Sequence, residues 1–212
     1  MTTTVKIGIV GCLGRMGRAI TDTIAATDGA VVCAGSEVAG HPQIGSTLDG
    51  LAVTVTDSAK EVFEQADVVI DFTPPGNTAA HAAFAAAAGT ALIVGTTGIA
   101  DDDHAALDMA AEKTVIVQAG NFSLGVNLLM ALTKQVASKL GTDWDIEIVE
   151  MHHRHKVDAP SGTAVMLGEA AAEGRGASLE RLRADVRDGI SPEREAGSIG
   201  FAALRGGSVI GE

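Results

Sequence analysis

Three of the six histidines fall within four residues, in Glu150-Met151-His152-His153-Arg154-His155-Lys156. Histidine exchanges a proton near neutral pH, so this cluster supplies a candidate general acid. Lys156 can pair with a carboxylate or stabilise developing charge. The whole chain carries a formal charge of −12. Against that background a run of His, Arg and Lys makes a local positive field able to focus an anion. Val157-Asp158-Ala159-Pro160-Ser161-Gly162-Thr163 follows directly. A helix is expected just after Pro160. Its first-turn N–H groups, with the hydroxyls of Ser161 and Thr163 beside Gly162, form a second anion cradle. Two cradles a short loop apart suit a dicarboxylate. The other readings are a solvated basic patch and a metal site. Adjacent histidines can hold zinc, but no Cys lies nearby and Arg154 and Lys156 repel a cation, so no metal is expected.

A second set of residues points to nucleotide chemistry. Gly11-Cys12-Leu13-Gly14-Arg15-Met16-Gly17 joins an apolar run to a helical one. Glycines at 11, 14 and 17 let the backbone turn sharply and approach a pyrophosphate, which the helix N-terminus attracts. The commoner fingerprint is G-x-G-x-x-G, from which Leu13 departs. A plain tight turn is the competing reading. Glu37 stands 20 residues after Gly17, where a carboxylate can accept from a ribose hydroxyl. Val38 follows it, and no Lys or Arg lies between Arg18 and Lys60. A 2′-phosphate would find only His41 nearby and would face Glu37. NADH is therefore expected over NADPH, unless Arg15 or Arg18 swings across. Asp71-Phe72-Thr73-Pro74-Pro75 and Gly95-Thr96-Thr97-Gly98 also follow strand-like runs, at ends suited to a nicotinamide and its ribose.

These residues need a scaffold. Strands are expected at 5–10, 30–34, 68–72, 91–95 and 115–117, alternating with helices at 15–26, 57–65, 77–88 and 101–112. That rhythm implies βαβ units and a parallel sheet covered on both faces. After residue 121 the pattern changes. A longer helix spans 124–140 with Val126, Leu128, Leu129, Leu132, Val136 and Leu140. A half-exposed strand runs over 145–150, and a helix over 161–173. Residues 174–198 read as a surface loop with a little helix. Strands at 199–204 and 208–210, joined by Gly206-Gly207, predict a mixed or antiparallel sheet.

Composition narrows the classes. The 212 residues are ample for a core, and their acidity argues against a general nucleic-acid binder. Two cysteines, Cys12 and Cys33, exclude a disulfide framework. Met1–Thr4 leads straight into a short apolar run, so no leader is expected, and no apolar stretch reaches the roughly 18 residues of a membrane span. A cytoplasmic protein is expected.

Together these motifs resemble the 4-hydroxy-tetrahydrodipicolinate reductase (dihydrodipicolinate reductase) family. The matching segments are GCLGRMGR at 11–18, DFTPP at 71–75, GTTG at 95–98, NFSLGVN at 121–127 and EMHHRHKVDAPSGTA at 150–164. The resemblance implies an α/β fold. A Rossmann-type parallel-sheet domain would span 1–125, and an α+β mixed-sheet domain for substrate and oligomerisation 126–212. It implies reduction of a cyclic unsaturated dicarboxylate with NADH or NADPH, in lysine and diaminopimelate biosynthesis. His152 resembles the family's proton donor and Lys156 its second catalytic residue. His153, Gly162 and Thr163 resemble substrate contacts. Gly11, Cys12, Leu13, Gly14, Arg15, Met16 and Glu37 resemble cofactor contacts. So do Gly95, Thr96, Thr97, Ala119, Gly120, Asn121 and Phe122. The family often carries a basic residue where Val38 stands, which supports NADH. Members form homotetramers, close a hinge over both ligands, and continue beyond the stretch seen here at 206–212. The resemblance therefore also implies a C-terminally shortened chain, with a nicotinamide-binding relative without turnover as the alternative.

Overall fold

The computed structural model describes residues 4–48, 50–187 and 189–212. Met1–Thr3, where no leader is expected, lie outside the described residues, as does Asp188 in the expected surface loop. The chain divides into two compact units, Met1–Gly120 and Asn121–Glu212.

The first unit runs β1 (Val5–Val10), α1 (Arg15–Ala25), β2 (Ala30–Ser36), β3 (Val55–Thr56), α2 (Ala59–Gln65), β4 (Val68–Asp71), α3 (Thr78–Ala88), β5 (Ala91–Val94), α4 (Asp101–Ala111) and β6 (Ile116–Gln118). The strands form one sheet in the order β3-β2-β1-β4-β5-β6. Every pairing is parallel, because each strand returns through a crossover. Apolar side chains cover both faces. One core gathers Val62, Phe63, Val69, Leu92 and Leu107, and the other Ile9, Cys12, Ile24, Val32 and Val55. Gly8 lets α2 lie close on β1, since a Cβ there would meet Val62 at 2.5 Å. Ser58 caps α2 by accepting the Glu61 amide. The two-residue β3 carries too little pattern to read from sequence. The chain travels outward from β1 to β3 and then crosses to β4. This reversal leaves a crevice beyond the C-terminal ends of β1 and β4.

The second unit holds α5 (Leu124–Ala137), β7 (Ile146–His152), α6 (Gly162–Gly174), α7 (Leu179–Leu182) and β8 (Ile199–Arg205). Here the structure corrects the expected mixed or antiparallel pairing. β7 and β8 pair in parallel, from Ile146 opposite Ile199 to His152 opposite Arg205. The physical reason is that β7, α6 and β8 form another crossover unit. Residues 208–210 are not a strand. Instead Glu212 exchanges two backbone hydrogen bonds with Met151, each 2.9 Å. Ala137, Ala171, Ala172 and Ile199 make a small core. Small residues bring α5 and α6 together: a Cβ on Gly174 would sit 2.4 Å from the Lys134 carbonyl. The apolar face of α5 stays open, with Leu128, Leu129 and Val136 each more than half exposed. Among the described residues no helix is long and apolar enough to cross a membrane.

Candidate active site

The first cradle is made of backbone. Gly11 follows β1 with φ +71°, a conformation that favours glycine. Gly17 sits against the loop itself, where a Cβ would lie 2.3 Å from the Gly11 carbonyl. α1 starts after Gly14 with no side chain capping it. Gly11, Gly14, Arg15, Met16, Glu37 and Thr73 line a cavity of about 470 Å³. Glu37 is anchored there: its carboxylate accepts the Leu13 amide at 2.8 Å and its other oxygen the Val38 amide at 3.3 Å. Arg18 Nε donates to the Leu13 carbonyl at 3.0 Å. Cys12 lies at the second position of the loop. Its side chain is fully buried beneath the loop and its amide donates to Ser36. Burial, then the nearby Glu37 charge, pushes its thiol up to about 11.

Below the cavity lies a buried acid that the motif reading did not single out. Asp71 ends β4 with no exposure. One oxygen accepts the Thr73 amide at 2.8 Å and hydroxyl at 2.7 Å, and the Thr96 hydroxyl at 3.4 Å. The other meets His81 Nδ1 at 2.7 Å. Burial alone would raise this carboxyl, but hydrogen bonds from His81 and Thr73 outweigh it and hold it below the ordinary range. Asp71 thereby ties the loops after β4 and β5 together. Gly95 gives the Phe72 ring its place there, because a Cβ would fall 2.2 Å from that ring. Thr96 is buried and Thr97 exposed. Ala119 donates to the Val94 carbonyl, and Gly120 is exposed. Asn121 and Phe122 belong to the second unit. The Asn121 amide donates to the Thr163 hydroxyl at 3.2 Å, and the Phe122 ring is 44% exposed.

The second cluster is made of side chains. β7 ends at His152, and Glu150 lies two residues earlier on the inward phase shared with Ile146 and Ile148. Glu150 is 4% exposed. Arg205, opposite His152 on β8, forks onto it at 2.8 and 2.7 Å. His152 Nδ1 lies 2.6 Å from the same carboxylate, and the Ser161 amide donates to it at 3.0 Å. The Arg205 bonds dominate, burial opposes them, and the Glu150 carboxyl is held at about 2. Lys156 Nζ pairs with Asp158 at 2.8 Å. That pairing outweighs desolvation and lowers the Asp158 carboxyl, with the Gly162 amide adding to it. Ser161 opens α6. It is buried, its amide is held by Glu150, and its hydroxyl caps α6 by accepting the Ala164 amide at 3.2 Å. Gly162 has open space where a Cβ would stand, and Thr163 is half-buried. His153 Nδ1 is buried with no hydrogen-bond partner among the described residues. No group of three His, Cys, Asp or Glu among those residues converges as a metal site.

Sequence reasoning missed Arg205 and the bonding of Glu150. A signal was present: an acid in the buried phase of an alternating strand demands a cation. Nothing local marks Arg205 as that cation.

The family profile described as dihydrodipicolinate reductase, N-terminus, matches residues 5–122, and the C-terminus profile matches 125–212. The chain belongs to the dihydrodipicolinate reductase family. It is 52% identical to the 4-hydroxy-tetrahydrodipicolinate reductase of Parvibaculum lavamentivorans, over all of this chain and 81% of that one. It is 50% identical to that of Dinoroseobacter shibae, over 97% of this chain and 79% of that one. A dipicolinate-bound dihydrodipicolinate reductase from Paenisporosarcina sp. TG-14 superposes with TM-score 0.74 and 25% identity, covering 99% of this chain and 81% of that one.

Proposed function

We propose that this reductase-family chain converts 4-hydroxy-tetrahydrodipicolinate, or its dehydrated form, to tetrahydrodipicolinate with a reduced nicotinamide cofactor, in lysine and diaminopimelate biosynthesis. One observation carries the reading. In the second unit the Asp158 carboxylate is already gripped by Lys156 and the first turn of α6. The same unit holds an anchored imidazole at His152. A carboxylate of the substrate is suited to the grip Asp158 now fills. The family likeness adds a relative whose structure contains dipicolinate. It gives no support to a relative that binds without turnover.

The glycine loop and Glu37 fit a dinucleotide: the loop excludes side chains at Gly17, α1 lacks a side-chain cap, and Glu37 accepts hydrogen bonds only. When bound, NAD(P)H supplies the hydride. Reduction also consumes one proton, which His152 donates while Lys156 holds the anionic ring. Glu37 and exposed Val38 favour NADH, since a 2′-phosphate would meet a carboxylate and no adjacent cation. Free Cys12 and Cys33 fit a reducing, cytoplasmic setting. The open apolar face of α5, with exposed Val149 and Leu204, supports assembly into a homotetramer.

The deciding experiment follows NADH absorbance with substrate generated from pyruvate and aspartate semialdehyde. Substrate-dependent loss of absorbance is expected. A chain that binds NADH but leaves the absorbance constant would overturn the reading.

A further inference from the structure

We infer that Glu150 and Arg205 form a positioning pair that fixes the tautomer of His152. The inference rests on His152 as proton donor.

A carboxylate offers about four acceptor sites. At Glu150 four donors point to it: both Arg205 Nη groups, His152 Nδ1 and the Ser161 amide. An ionised carboxylate only accepts, so His152 must present Nδ1–H to it in either charge state. The proton then leaves and returns at Nε2. The arginine fork keeps Glu150 ionised through the neutral range, which excludes a relay through that carboxyl. Gly211 keeps Nε2 open, because a Cβ there would lie 2.9 Å from it. Arg205 also donates to the Asp158 carbonyl, next to the carboxylate that pairs with Lys156. One guanidinium thus spans β7, β8 and the loop before α6. A lysine at 205 would bring the charge without the planar fork.

The test combines tautomer and kinetics in the full chain. Long-range ¹H–¹⁵N spectra are recorded above the histidine titration, with His152 assigned by its disappearance in H152A. Wild type is expected to show His152 protonated at Nδ1 alone. In E150Q the single tautomer is expected to give way to a mixture, with kcat down about 10- to 100-fold and dipicolinate affinity within about twofold. R205K is expected to show the same change in smaller degree, and it serves if E150Q does not fold by thermal melting. A wild-type Nε2–H tautomer, or an unchanged Nδ1–H tautomer with unchanged kcat in either variant, overturns the inference. Unchanged turnover in H152A instead removes His152 as the donor, while the tautomer pattern still decides the positioning.

Discussion

The first βα turn presents main chain; the end of β7 presents ionised side chains. The turn owes its shape to what is missing, with no Cβ at Gly17 to strike the Gly11 carbonyl and no side chain over the start of α1. The β7 site owes its shape to what is present. A buried carboxylate gathers an arginine, a histidine and a backbone amide around itself. Sterics therefore govern the first region, and ionisation with hydrogen-bond geometry governs the second. The two should fail in different ways.

The largest effect belongs to the side-chain region. H152A should lower turnover by about 10²-fold or more, the loss expected for a general acid. NADH affinity, measured by fluorescence titration, should hardly move. Loss of NADH binding in this variant would erase the division between the regions.

Next comes the backbone region. G17A adds a Cβ where the Gly11 carbonyl already stands, and backbone cannot swing aside. NADH affinity should fall about tenfold or more, from overpacking on the order of 1–3 kcal/mol. Dipicolinate binding should persist. Wild-type NADH affinity in G17A would show that the loop tolerates a side chain.

A smaller change sharpens the cofactor side. V38R places a guanidinium beside Glu37, able to meet a 2′-phosphate. The NADPH-to-NADH ratio of kcat/KM should rise several-fold. A constant ratio would locate specificity outside residues 37 and 38.

The mildest test is pH. In the fold the Glu150 carboxyl sits at about 2, below its ordinary value of 4.5. Its network stabilises the native state fully above the ordinary value and is lost as pH falls from there toward 2. The Tm difference between wild type and E150Q should be constant near neutral pH and shrink across that window. The backbone cradle contributes no such dependence. A difference that stays level down to pH 2 would contradict the network.

Much of the first unit was legible because its signals are local. Buried runs such as Val68–Asp71, the cap at Ser58 and the glycine spacing each act within a few residues. The five strands read there appear within one to two residues of their places. β3 escaped because two residues cannot show a period. In the second unit, Gly206-Gly207 was read as joining two strands on turn chemistry alone, but 208–210 form no strand, and β8 instead pairs in parallel with β7 through the α6 crossover. Ser161 was legible as a hydroxyl at a helix start, and in the structure it caps α6.

What the sequence determined by itself was the chemistry on offer: the glycine turn, the acid after β2, and the His-Lys-Ser-Gly-Thr run. It did so because backbone sterics and proton affinity are properties of residue type and short spacing. What only the tertiary structure decided was partnership. Arg205 stands 55 residues from Glu150, and Asp71 ten from His81. A buried acid announces that it needs a donor, but strand register and sheet order select which one arrives.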